Sequence, residues 1–203
     1  MERFIHWDAA SRCLVTRPIK GTIRREPSYD GASARLRADP KERAEHSMIV
    51  DLMRNDLGRV AQVGTVKVEA PLVVEPFTGL YHLVSTVRCL TRPEVTLSDI
   101  LEATFPPGRV TGAPKIRALE IIEGLEQHPR GVYCGAIGFI DHEGGLSLAV
   151  AIRTAAVRRG EVHYWAGGGI VEASDPDREL AETELKAKVF LDAVESLKED
   201  RRE

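Results

Sequence analysis

Apolar and polar residues alternate in several separate stretches, and each such stretch predicts a β-strand. Residues 2–17 alternate around a polar turn at Asp8–Ser11, which is the pattern of a hairpin. Most of the connections between the alternating stretches are short, and short connections favour antiparallel pairing. Beyond the hairpin, the extended stretches lie at 64–77, 80–90, 132–141, 145–159 and 161–168.

Helical periodicity is clearest in residues 39–58. Asp39 is suited to cap this helix, Pro40 to occupy its first turn and Gly58 to end it. The polar stretch 24–38 predicts a surface loop. Further helices are predicted at 96–106, 112–128 and 175–200. Strands and helices together predict an α+β fold, with a largely antiparallel sheet flanked by helices.

Composition argues against nucleic-acid binding and against a membrane protein. The chain has 203 residues and a net charge of −3, so no basic field is available to attract nucleic acid or an anionic membrane. No apolar run approaches the roughly 20 residues that a membrane span requires. The three cysteines lack metal-type spacing and predict reduced thiols in a cytoplasmic protein.

Two acidic pairs stand at the beginnings of the two longest helices. Glu42 and Glu45 in one helix, and Glu179 and Glu182 in the other, are three residues apart and share a helix face. Each pair continues a stripe that we expect to face inwards, leading to Ile49 and Leu52 in the first helix and to Lys186, Val189 and Ala193 in the last. Two interpretations remain open: first-turn capping, or a cation site. Oxygen-only ligands with no nearby set of histidines and cysteines favour Mg²⁺.

Two features suit an anion, although each also has a purely structural interpretation. Gly167–Gly169 follow a predicted strand and could present open backbone amides, or could form a bulge. Arg153 is predicted on a strand face of small residues, where it could bind a carboxylate or form a surface salt bridge. Neither a dinucleotide fingerprint nor a phosphate-binding loop is present.

A lysine in "RPIKGTIRR" raises a separate question. Lys20 stands between Pro18, whose backbone is restricted, and Gly21, whose backbone is permissive. This setting predicts a chain held in one shape with the lysine presented from it. Whether Lys20 is a solvated charge or a reactive amine is left open by the residues alone.

Several segments together resemble the chorismate-utilising enzymes. That family includes anthranilate synthase component I, aminodeoxychorismate synthase component I, isochorismate synthase and salicylate synthase. The resemblance covers nearly the whole chain, in order. It rests on "ERF…TRPIKGT", "AEHSMIVDLMRNDLGRV", "PFTGLYHLVSTV", "FPPGRVTGAPKIRALEIIEGLE", "GVYCGAIGFI", "AIRTA" and "AGGGIV…SDP…AETELKAK".

The resemblance implies a role for the acidic pairs and for a set of substrate contacts. Glu45 and Glu182 correspond to direct Mg²⁺ ligands, and Glu42 and Glu179 to residues that hold metal-bound waters. His82 corresponds to a histidine near the reacting ring. Thr22 and segment 111–115 correspond to pocket-building positions. The positions that bind the substrate carboxylates correspond to Tyr133, Arg153, Gly167, Gly168, Gly169 and Lys186.

The lysine in "PIKGT" is similar to that of aminodeoxychorismate synthase component I, whereas anthranilate synthases typically have a small residue there. The resemblance implies that Lys20 is a nucleophile that attacks C2 of chorismate, with Glu2 as general acid and base. Ammonia then attacks C4 and gives 4-amino-4-deoxychorismate, on the route to 4-aminobenzoate and folate. A separate glutamine amidotransferase subunit is the expected source of ammonia.

Other interpretations remain within and outside this group. Within the family, the alternatives are anthranilate synthase and isochorismate synthase. Outside it, the chain could be a non-catalytic chorismate-binding fragment that requires a partner. We expect residues 1–203 to be the C-terminal portion of a catalytic domain, since family members carry a substantial portion before "ERF". Strands that lack their partners would expose edges capable of self-association.

Overall fold

The structure, a computed structural model, describes residues 3–25, 31–172 and 174–199. Strands alternate with helices along the chain, which confirms the predicted α+β class. The strands are β1 (Arg3–Asp8), β2 (Cys13–Thr16), β3 (Ile19–Arg24), β4 (Lys67–Phe77), β5 (Leu80–Leu90), β6 (Ala136–Ile140), β7 (Leu146–Val150), β8 (Ala155–Arg158) and β9 (Glu161–Tyr164). The helices are α1 (Ala32–Ala38), α2 (Pro40–Gly58), α3 (Leu97–Thr104), α4 (Lys115–Leu125) and α5 (Pro176–Glu199).

The chain divides into two compact units that interleave in sequence. The first unit comprises residues 1–127 and 136–150, and the second comprises residues 128–135 and 151–203. The larger of the two, the first, holds strands β1 to β7 and helices α1 to α4. The assignment of the chain as part of a longer catalytic domain stays a prediction.

The first unit is built on one antiparallel sheet whose centre is β5. One edge of β5 pairs with β4, and the other pairs with β3 in its first half and β2 in its second. The sheet continues through β1 and β7 to β6, which forms its end. This arrangement confirms the predicted hairpin and the predicted antiparallel pairing. Self-association through exposed edges stays a prediction, although β6 does expose Phe139.

Helix α2 packs on this sheet and provides much of the core. It begins as predicted, because Asp39 accepts hydrogen bonds from the backbone N–H groups of Lys41 and Glu42 and Pro40 occupies the first turn. Buried side chains from helix and sheet meet between them. They include Ile49, Met53 and Leu57 of the helix and Leu14, Leu83 and Val87 of the sheet.

Two predicted elements of the chain are wrong. Residues 24–38 are not one polar loop, because α1 forms within them and buries Ala32 and Leu36. Residues 145–159 are not one strand either. Strand β7 ends at Val150, and the chain resumes as β8 only after Arg153 has adopted a left-handed backbone with φ of 51°.

The second unit contains the β8–β9 hairpin and α5. Tyr164 at the end of β9 stacks on Phe190 of α5, with ring centroids 4.3 Å apart and planes inclined by 1°. The backbone N–H of Arg178 donates to the side chain of Asp175, which caps α5. No helix in the described part of the chain has the length and apolar character needed to cross a bilayer.

Candidate active site

The amine of Lys20 lies beside α2. In β3, Ile19 pairs with Val84 and Thr22 pairs with His82, so that two residues, Lys20 and Gly21, stand opposite one residue of β5. This bulge depends on glycine, since Gly21 has φ of +84°. Lys20 Nζ lies 2.7 Å from Glu45 Oε2, and the two side chains are 37% and 24% exposed. Lys20 is therefore a half-buried, ion-paired amine rather than a solvated one.

Glu42 lies on the same face of α2 and carries an unsatisfied oxygen. Its Oε2 is buried and has no hydrogen-bond partner among the described residues. Burial raises the pKa of Glu42, and the neighbouring carboxylate of Glu45 raises it further. Both glutamates are half-buried, as predicted, and Ile49 below them is buried. Asp39 performs the capping, so capping does not account for the buried oxygen of Glu42.

Thr22 and His82 form a second pair. They face each other across β3 and β5, and Thr22 Oγ1 lies 2.8 Å from His82 Nδ1. The ring of His82 also meets Phe77 edge-on, with centroids 4.9 Å apart. The structure thus joins two predicted site residues, and it orients the histidine from two sides.

Segment 111–115 is anchored to α2 by a buried ion pair that the sequence analysis missed. Lys115 Nζ lies 3.0 Å from Asp56 Oδ2 and donates to the carbonyl of Thr104 at 3.2 Å. Burial raises the pKa of Asp56, and the ammonium of Lys115 opposes that rise. A charged residue near the end of an otherwise apolar helix stripe is the sequence signal that could have indicated Asp56.

The second unit gathers several of the predicted carboxylate-binding residues. Lys186 Nζ donates to the carbonyl of Gly167 at 3.0 Å and lies 2.7 Å from Glu182 Oε1. A Cβ on Gly167 would lie 2.8 Å from the hydroxyl of Tyr133, and one on Gly168 would lie 2.8 Å from Glu179 Oε2. A side chain at either position would therefore displace the end of Tyr133 or of Glu179.

The structure revises two expectations in this unit. Glu182 does not face inwards, because its side chain is 57% exposed, and Val189 on the same stripe is exposed as well. The half-buried face of α5 instead runs through Glu179, Thr183 and Lys186. Arg153 does not project from a strand, because it lies in the connection after β7 and is exposed.

The acidic pairs belong to different units, each of which contributes two carboxylates. Within each unit, the described residues bring no three histidines, cysteines, aspartates or glutamates together in a way that could hold a metal ion. Glu2, the expected general acid and base, lies outside the described residues. Gly169 has open space around its Cα, since nothing lies within 4 Å of the position that a Cβ would take.

Known proteins resemble this chain in both sequence and structure. It is 46% identical over 193 residues to anthranilate synthase component 1 of Aquifex aeolicus, covering 94% of this chain and 39% of that protein. It is 46% identical over 197 residues to aminodeoxychorismate synthase component 1 of Escherichia coli, covering 96% of this chain and 43% of that protein. The chain thus spans about two fifths of the length of these curated relatives.

The structural comparison agrees with the sequence comparison. A crystal structure of anthranilate synthase component I from Streptococcus pneumoniae superposes with a TM-score of 0.81 at 42% identity, covering 92% of this chain and 41% of that chain. The family of chorismate binding enzymes matches residues 1–192. Since this match spans nearly the whole sequence, the chain belongs to the chorismate binding enzyme family.

Proposed function

We propose that this chain carries the catalytic residues of an enzyme that aminates chorismate with ammonia, giving 4-amino-4-deoxychorismate. The observation that supports the proposal most is the placement of Lys20. Its amine is held at the β3 bulge, 2.7 Å from Glu45, which forms a half-buried carboxylate pair with Glu42. Placement of an amine by a bulge and a carboxylate favours a role in covalent catalysis, which depends on a positioned nucleophile.

The proposed chemistry needs no redox partner. Lys20 first gives up the proton of its ammonium to solvent, and its neutral amine then forms a bond to C2 of chorismate while the bond from C4 to its hydroxyl breaks. Glu2 donates the proton that the hydroxyl takes with it, and recovers one from the ammonium that forms at C4 in the next step. Ammonia then forms a bond to C4 while the bond between Lys20 and C2 breaks. The lysine is regenerated, and the product carries an amino group at C4.

A magnesium ion is proposed to bind beside Glu42 and Glu45. The buried, unpartnered Oε2 of Glu42 beside Glu45 is an arrangement that a cation would stabilise, because it neutralises two carboxylates that otherwise repel each other. Glu45 and Glu182 are proposed as direct ligands, with Glu42 and Glu179 holding coordinated waters. Bound Mg²⁺ would supply positive charge for the ring carboxylate of the substrate.

Anchoring of the substrate carboxylates is assigned to the second unit. Lys186 presents its ammonium next to Gly167, where Tyr133 also lies. Backbone amides of Gly167–Gly169, with Arg153, are proposed to complete the anion contacts. In the first unit, His82, oriented by Thr22, is proposed to face the reacting ring. Ammonia is proposed to come from a glutamine amidotransferase subunit, as the name "component 1" of the relatives suggests.

Anthranilate formation is the second candidate. Its support is the equal identity, 46%, of the anthranilate and aminodeoxychorismate synthase relatives. The residue at position 20 favours the first proposal, since formation of anthranilate requires no lysine nucleophile. A chain that binds chorismate without turnover is the remaining alternative.

One experiment separates the three. The purified chain is incubated with chorismate, Mg²⁺ and ammonium, alone and co-expressed with the part of the E. coli relative that it does not match. Products are resolved by chromatography and mass, and anthranilate also by fluorescence. We expect 4-amino-4-deoxychorismate. Anthranilate as the main product would replace the proposal by the second candidate, and binding without any product in either format would support the third.

A further inference from the structure

A completely buried histidine stands next to Glu45 in α2. His46 follows Glu45 in α2 and is 0% exposed, and its Nε2 lies 2.7 Å from the hydroxyl oxygen of Ser85. Its other ring nitrogen, Nδ1, is buried without a hydrogen bond of good geometry among the described residues. Burial lowers the pKa of His46, and the backbone of Lys20, which lies close enough to accept a hydrogen bond from the ring, opposes that fall.

Ser85 connects His46 to the segment that carries the lysine. Its backbone N–H donates to the carbonyl of Pro18 at 3.2 Å. Its hydroxyl oxygen accepts a hydrogen bond from the N–H of Leu72 at 3.0 Å, where β4 leaves regular pairing. Ser85 Oγ has a second acceptor site and one proton, so either it or His46 Nε2 can be the donor at 2.7 Å, depending on the tautomer of the ring. One buried histidine therefore ties α2 to the chain on both sides of Ile19.

We propose that His46 is a positioning residue for Lys20. Through Ser85, His46 holds the backbone of residues 18–20 against α2 and thereby keeps the amine of Lys20 at Glu45. The ion pair alone cannot fix the amine, because a half-exposed pair contributes little and a lysine side chain is flexible. A rigid backbone beneath it reduces the positions that the amine can take. The importance of this placement rests on the proposed function, but the placement itself can be measured without substrate.

The test is competitive labelling of lysines in the full chain with a trace of isotopically labelled acetic anhydride, read by mass spectrometry. Lys188 is the internal reference, because it is 65% exposed and, within the described part of the chain, forms an ion pair with Asp192 alone, at 3.1 Å. The variants are His46→Leu, Ser85→Ala and His46→Gln, whose amide can still reach Ser85. Val50→Ala is the matched control, since Val50 is buried one turn further along α2.

We expect His46→Leu to raise the labelling of Lys20 relative to Lys188 roughly threefold, as a weak ion pair is released. Ser85→Ala should raise the labelling ratio less, and His46→Gln should return the ratio to that of the parent. Val50→Ala should leave the ratio unchanged, although this variant is less stable. An unchanged ratio in His46→Leu, or an equal rise in Val50→Ala, would overturn the proposal. If His46→Leu does not fold, Ser85→Ala decides: a raised labelling ratio supports the proposal and an unchanged ratio overturns it. Absence of amination activity in the parent chain would refute the proposed function but not the positioning of Lys20 by His46.

Discussion

Replacing Gly21 by alanine tests whether the β3 bulge controls the acidic pair. Gly21 has φ of +84°, a backbone conformation that costs an L-residue about 1–2 kcal/mol. The new Cβ would lie 2.9 Å from Glu42 Oε2 and 3.2 Å from Leu36 Cδ1. Both contacts are too close, so the carboxylate of Glu42 must turn away from its present position.

The chain offers a matched control for the backbone cost. Gly79 has φ of +75°, and nothing lies within 4 Å of the position that its Cβ would take, so Gly79→Ala incurs the backbone cost alone. Displacing the flexible end of Glu42 from its rotamer costs about 1 kcal/mol more. We therefore expect Gly21→Ala to lower the free energy of unfolding by about 1 kcal/mol more than Gly79→Ala.

Urea denaturation at pH 7 measures the stability of both variants, and isothermal titration calorimetry measures their affinity for Mg²⁺. Because only Gly21→Ala displaces Glu42, we expect only that variant to bind Mg²⁺ more weakly than the parent. Equal stability and equal Mg²⁺ affinity in the two variants would refute the reasoning, since the contact between Gly21 and Glu42 would then have no consequence.

Three further predictions concern single side chains. Lys20→Ala should abolish the covalent chorismate adduct, which mass spectrometry detects on the peptide that contains Lys20, while the affinity for chorismate stays near that of the parent. An undiminished amination rate in this variant would exclude Lys20 as the nucleophile. Glu45→Gln should abolish Mg²⁺-dependent activity, because one ligand of the proposed site loses its charge, and unchanged Mg²⁺ affinity would contradict that site. Lys115→Met should lower the free energy of unfolding by about 3–5 kcal/mol at pH 7, whereas Lys188→Met in its exposed pair should cost about 0.5 kcal/mol or less. Without Lys115, the raised pKa of Asp56 rises further above its value in the unfolded chain. The loss of stability should therefore shrink as the pH falls towards about 4, where Asp56 takes up a proton. A loss of stability that does not depend on pH would contradict a buried ion pair between Lys115 and Asp56.

Much of the first unit could be predicted because its signals are local. Asp39 and Pro40 identify the beginning of α2, since capping depends on a few neighbouring residues. Strand β5 has the predicted bounds, residues 80–90, because alternation is a property of the strand itself. The inward direction of Glu42 and Glu45 also followed from helical spacing.

The second unit was predicted less well because its geometry depends on partners distant in sequence. Alternation continues past Val150, yet the strand ends there and Arg153 adopts a left-handed backbone. Spacing alone predicted that Glu179 and Glu182 both lie on an inward stripe of α5. The face that is half-buried includes Glu179 rather than Glu182, which only packing against residues such as Tyr164 could decide.

The sequence by itself determined the class of fold, the family and the residue types of the site, because periodicity, caps and motifs are written in short stretches. Only the tertiary structure decided how those residues meet. Lys20 and Thr22 are two apart and would share a face in a regular strand, but the bulge at Gly21 sends Lys20 to Glu45 and leaves Thr22 with His82. A bulge depends on how two strands pair, and the contacts that stabilise it involve both strands, so it cannot be predicted from either segment alone.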